Sequence, residues 1–158
     1  MQLTERHVIK RTDPRFAAID DAAFAAKNLY NAANYLMRQA YIFQGEQVLS
    51  YETLYHQAKH LPAYQELPRK VSQQVLKTLQ KNWRGFLAAR REWSQHPEKF
   101  LGRPGLPKYL DKQRGRFVLV YTDQAISRAT LRQGRIHPSG LGIQIRTRQT
   151  AVDQVRIV

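Results

Sequence analysis

The chain has no cysteine, so it can form no disulfide, offers no thiol nucleophile and holds no cysteine-ligated zinc. It also lacks any long apolar run. The opening "MQLTERHVIKRTDPRF" has no stretch of the length a secretory leader needs, and nothing later approaches the roughly 18 residues that span a bilayer. The expected setting is the reducing cytosol, with no membrane partner. Acids are scarce as well, twelve Asp and Glu against 26 Lys and Arg in 158 residues. Glycosidic cleavage needs a pair of carboxylates, and two-metal nuclease chemistry needs a cluster of them. Asp20 and Asp21 sit about 100° apart around a helix and serve better to solvate it than to bind metal. There is no phosphate loop of the Gly-rich, Lys-Ser/Thr type and no G-x-S-x-G elbow. Only "HQAKH", His56 and His60, has ligand-like spacing, and the glutamate that follows the first histidine of a zincin is missing. The expectation is a chain that is not an enzyme, with no catalytic residue, metal or cofactor.

What the chain has in excess is positive charge, a formal +14 with an isoelectric point near 10.4, and its distribution is informative. Residues 1 to 68 balance seven cations against seven acids, and the last ten residues also cancel. Residues 69 to 148 carry eighteen Lys and Arg against four acids, so the whole excess of fourteen lies in that block. Such a block repels itself unless a polyanion neutralises it, and nucleic acid is the leading partner.

Local patterns give an α+β chain. "LTERHVIK" reads as a short strand, closed by "TDP", where Asp13 is placed to cap a helix with Pro14 in its first position. From Pro14 to about Phe43 an alanine-rich stretch without Gly or Pro repeats apolar residues at helical spacing. Ser50 can cap a shorter helix, "YETLYHQAKH", and "LPAYQELP" makes a helical turn between prolines. Between Pro68 and Pro97 a single long helix is expected: at about 100° per residue, Val71, Val75, Leu76, Leu79, Trp83, Phe86, Leu87 and Trp93 share an arc of about 160°. Beyond residue 115 the runs "GRFVLVY", "QAISRATLRQGRIH", "LGIQIRTR" and "VDQVRIV" read as strands separated by Gly, Pro and Ser. The expected architecture is a small antiparallel barrel from residues 1–12 and 115–158, with a helical insert over 13–98 and a basic Pro/Gly connector over 99–114. Val158 falls within a strand pattern, which suggests a fragment.

Two cationic features stand out. Opposite the apolar stripe of the long helix lie Lys70, Lys77, Lys81, Arg84 and Arg91, with Glu92 the only acid in that helix. The connector follows directly, with Arg103, Lys108, Lys112, Arg114 and Arg116 on a backbone stiffened by Pro104 and Pro107. Both are expected to meet phosphates. Tyr109 and Phe117 flank the connector and are the positions for stacking on an unpaired base.

In order, the alanine- and tyrosine-rich helix "NLYNAANYLMRQAYI", the basic helix ending "NWRGFLAARREW", then "GRPGLPKYLDKQRGRFVLVYT" and "ISRATLRQGRIHPSGLGIQIRTR" resemble the N-terminal half of the TnpB (OrfB) family of insertion-sequence proteins. The sharpest piece is G-x-P-K-Y/F before a basic run and a Phe-containing strand, here "GLPKYLDKQRGRFVLVY". The family comprises RNA-guided DNA nucleases, formerly called putative transposases and related to type V CRISPR effectors. The resemblance implies a wedge domain from the β segments and a recognition domain from the helices, with guide RNA and target DNA as partners. The family's nuclease is a later RuvC-like domain with three acidic metal ligands and usually a four-cysteine zinc ribbon, and neither is present here. The implied role is binding without cutting, on guide RNA or its heteroduplex with target DNA, in the cytoplasm at the nucleoid. Two other readings stand beside it: a stand-alone DNA-binding transcriptional regulator, and a structural RNA-binding protein.

Overall fold

A computed structural model describes residues 2–158. The alanine-rich stretch forms helix α1, Phe16–Phe43, two residues later than the capping pattern suggests. Asp13 caps the preceding turn instead: its Oδ1 accepts the Arg15 N–H at 2.9 Å and its carbonyl accepts the Phe16 N–H at 2.9 Å. Ser50 caps α2, Tyr51–Ala58, by accepting the Thr53 N–H at 3.2 Å. Then come α3, Pro62–Gln65, and the long α4, Arg69–Gln95.

The apolar stripe of α4 is buried as its periodicity requires, through Val71, Val75, Leu76, Leu79, Trp83 and Phe86. Leu87 and Trp93, at the far end of that stripe, are only half-buried. Helix α4 packs on α1, where Trp83 meets Tyr41 with ring centroids 5.5 Å apart and Phe86 at 5.8 Å. Beyond area burial, aromatic pairs of this kind contribute about 0.5–1.5 kcal/mol each.

The α+β class holds, but the barrel does not form. Strand β1, Leu119–Thr122, pairs antiparallel with β4, Gln154–Ile157, in the register Leu119 to Ile157. Separately, β2, Arg135–Ile136, pairs with β3, Ile145–Arg146. These ladders of two to four residues are too short to close a cylinder, and left-handed glycines at 134, 140 and 142 interrupt the run between them. The "ISRATLR" segment, expected as strand, is partly helical: Ser127 accepts the Thr130 N–H at 3.3 Å and starts α5, Arg128–Arg132. Residues 2–10 are extended but join no ladder. They are tied to the β region by side chains, with Glu5 Oε2 accepting from Thr147 Oγ1 at 3.0 Å and from the Arg148 N–H at 3.3 Å. One apolar cluster runs from Ile19 through α4 to Ile145, and β1 packs directly on α4. Among the described residues no helix is long and apolar enough to cross a membrane.

The connector carries no regular structure between the 3-10 turn Pro97–Lys99 and β1, yet it is closely seated. A Cβ at Gly115 would lie 2.4 Å from the Asp111 carbonyl oxygen and 3.1 Å from Lys27 Cγ, whereas one at Gly105 would meet nothing within 4 Å. Gly115→Ala is therefore expected to lower stability by about 1–3 kcal/mol, roughly 2–10 °C in melting temperature. Gly105→Ala, measured in the same thermal melts, should be neutral or slightly stabilising.

Candidate nucleic-acid interface

The seat of the connector is a stripe of polar residues on α1. Asn31 makes a two-way bond with Leu110, its Nδ2 donating to the carbonyl and its Oδ1 accepting the N–H, both at 2.9 Å. Asn34 Nδ2 donates to the Pro107 carbonyl at 3.1 Å, while its Oδ1 accepts from Trp83 Nε1 at 2.9 Å. Arg38 Nη2 reaches the same Pro107 carbonyl at 2.7 Å. Lys27 Nζ donates to the Lys112 carbonyl at 2.5 Å. At the far end Asp20 takes a bidentate pair from Arg116, at 2.8 and 3.1 Å, and the Phe117 N–H reaches the Ala23 carbonyl at 3.1 Å. The connector thus runs antiparallel to α1 as a strap held mainly by its own backbone.

Holding a strap by its carbonyls leaves its side chains for solvent. Arg103, Lys108, Lys112 and Arg114 are exposed, and among the described residues none of them has a carboxylate within 4.0 Å. Asp111 does not pair with a side chain of the strap. Its Oδ1 caps the turn by accepting the N–H groups of Gln113 at 2.9 Å and Arg114 at 2.6 Å, and these bonds hold its carboxyl below the usual range. Arg103 lies over Trp93 with 5.9 Å between guanidinium carbon and ring centroid, which brings the start of the strap to the last turn of α4. On α4 itself Lys70, Lys77, Lys81, Arg84 and Arg91 are all exposed and likewise without carboxylate partners among the described residues. At 1.5 Å rise per residue this row extends about 30 Å, close to one turn of a nucleic-acid duplex.

Two expected positions are placed differently. The Arg116 fork is occupied by Asp20, and its guanidinium carbon lies 4.9 Å from the Phe24 ring, so it anchors the strap rather than standing free. Phe117 is half-buried against Tyr30, with centroids 4.7 Å apart, because its backbone is pinned to α1. Tyr109 remains 44% exposed, with Arg38 at 4.6 Å on its ring. It is the aromatic of the strap that keeps an open surface.

The residues the pattern analysis missed are Lys27, Asn31, Asn34 and Arg38. Each follows by one residue a buried apolar position of α1, namely Ala26, Tyr30, Ala33 and Met37, and their i, i+4, i+7, i+11 spacing was a visible signal of a second, polar docking face. Lys27 is 1% exposed and, among the described residues, makes no ion pair; burial, aided by the Arg116 charge and opposed by that of Asp111, lowers its pKa. Its ammonium also sits 3.8 Å from the Phe24 centroid, so Phe24 is flanked by two cations. Among the described residues no group of three or more His, Asp or Glu is placed to hold a metal ion. A scan against protein-family models finds no match to the chain, and a search of curated proteins finds none either.

The hydrogen bond from Arg116 holds the Asp20 carboxyl below the ordinary carboxylate range. Ionised Asp20 then stabilises the docked strap fully above that range, and this contribution is lost as pH falls through the folded pKa. The amide protection factor of Phe117 should therefore fall on acidification below about pH 4, and fall already at neutral pH in Asp20→Asn. Unchanged protection in both cases would mean that the backbone bonds alone hold the strap.

Proposed function

We propose that the chain is a nucleic-acid-binding part of a TnpB-like, transposon-associated RNA-guided DNA endonuclease, holding guide RNA and its heteroduplex with target DNA through phosphates and without cutting. The observation that carries the proposal is the array of exposed, carboxylate-free cations on α4 and the strap. Ordinary solvated helix faces intersperse acids that form i,i+4 pairs. On α4 the only acid, Glu92, is taken by Lys99 at 2.8 Å, which leaves the row Lys70 to Arg91 without a counter-charge. The order of motifs along the chain supports the family reading. The strap supports the mechanism, because a backbone fixed before binding presents its cations with little further loss of conformational entropy.

Binding of this kind releases counterions. Replacing Lys77, Lys81 and Arg84 by Gln is expected to weaken binding and flatten the slope of log K against log salt by up to about three times 0.7–0.9. An unchanged slope would return that face to solvent. Lys112→Ala with Arg114→Ala should lower affinity with no loss of melting temperature, since neither side chain holds the strap. The identity of the partner is tested by purifying the chain from a bacterial host at moderate salt without nuclease, then sequencing whatever stays bound. One dominant structured transcript supports the guide-binding reading. Duplex DNA would instead favour a stand-alone regulator, and an unselective RNA mixture a structural RNA-binding protein.

A further inference from the structure

Away from α4 and the strap, a cleft separates the N-terminal segment from the β2–β3 ladder. Two adjoining hollows, of about 460 and 750 Å³, meet at His7, Arg135 and Arg146. The ladder register sets Arg135 directly opposite Arg146, with Ile136 opposite Ile145 on the buried face. Residues opposed in this way have Cβ atoms about 4.5–5.5 Å apart, and like charges there are destabilising. The remaining lining does not relieve the repulsion. Arg135 Nη2 donates to the neutral Gln133 Oε1 at 2.7 Å, and Arg146 has no side-chain hydrogen-bond partner among the described residues. Glu5, the carboxylate on the cleft wall, is already committed to Thr147, the Arg148 N–H and His7. Arg15 is held by Asp13, with Nη2 to Oδ2 at 2.7 Å, and forms scaffold rather than free charge.

We propose that this cleft binds a phosphomonoester dianion, either the terminal phosphate of a nucleic-acid strand or a free nucleotide, gripped between Arg135 and Arg146. Charge selects the monoester. A phosphodiester carries one negative charge, whereas a monoester with a second pKa near 6 carries close to two at neutral pH and matches two facing guanidiniums. Shape selects an end group. A row of cations on a helix can follow a running backbone, whereas an open hollow of several hundred Å³ beside two facing arginines has room for one nucleotide. The site is independent of the diester-binding row on α4, so either can fail without the other.

The test compares an internally labelled single-stranded RNA carrying a phosphate at its 5′ end, at its 3′ end or at neither, and measures adenosine 5′-monophosphate binding separately by calorimetry. A terminal phosphate is expected to tighten RNA binding about tenfold. The double variant Arg135→Gln, Arg146→Gln should abolish that ratio while keeping or raising the melting temperature, since like-charge repulsion is lost. Lys77, Lys81 and Arg84 to Gln should weaken all three RNAs alike and leave the ratio intact. Nucleotide binding that disappears in the double variant, without an RNA-end preference, assigns the site to the free nucleotide. The proposal is overturned if neither a terminal phosphate nor the nucleotide is preferred, or if the preference survives the double variant.

Discussion

The hydrogen bonds between the polar stripe of α1 and the backbone of the strap are the constraint on which the rest of the structure depends. Residues 100–118 have neither helix nor sheet to satisfy their peptide groups, and buried carbonyls left unpaired cost free energy comparable to a lost hydrogen bond. Asn31, Asn34, Arg38 and Lys27 supply those partners from successive turns of one helix. Because the bonds fall on carbonyls at 107, 110 and 112, the path of that part of the strap is set without help from the side chains of Lys108, Lys112 and Arg114. Its last anchor, Phe117, then delivers β1 onto α4 two residues later, so the helical and β parts share one core.

This arrangement divides the cations into two populations that composition cannot separate. Lys27 and Arg38 spend their donors on the strap, Arg116 of the strap is held by Asp20, Arg15 is held by Asp13, and Arg90 reaches the Tyr41 hydroxyl and Glu46. The others on α4 and the strap stay exposed and uncompensated. A buried ammonium whose direct contacts are a carbonyl and an aromatic ring, with the Asp111 charge near but not paired to it, is costly, and Lys27 persists there because the surrounding docking bonds over-determine its position. The self-repulsion of the basic block is thus borne by a framework whose own polar groups are nearly all paired. Binding energy from phosphate contacts need not be used to order it.

Much of the helical half was legible in the chain. The 3.6-residue period of α4, the Ser50 cap and the proline boundaries at 62, 68 and 97 all act locally, within a turn or two of the residues that carry them. The β half was less legible. Its segments have strand-like composition, but two- and four-residue ladders depend on pairing partners more than thirty residues away for β1 and β4. Ser127, moreover, capped a helix within a run that alternation had marked as strand.

For the candidate interface, the sequence by itself determined where the charge lies and which face of α4 carries it, since both follow from residue identity and helical geometry. Only the tertiary structure decided which cations are free. Arg116 and Lys112 look equivalent on paper, yet a carboxylate 96 residues earlier claims one guanidinium while the other residue is held only by its carbonyl. In the same way, Arg135 and Arg146 become a facing pair only through the register of β2 on β3. The physical reason is common to both: short-range periodicity assigns a side chain to a face, but charge pairing and the opposition of strands are long-range and exist only once the chain has closed on itself.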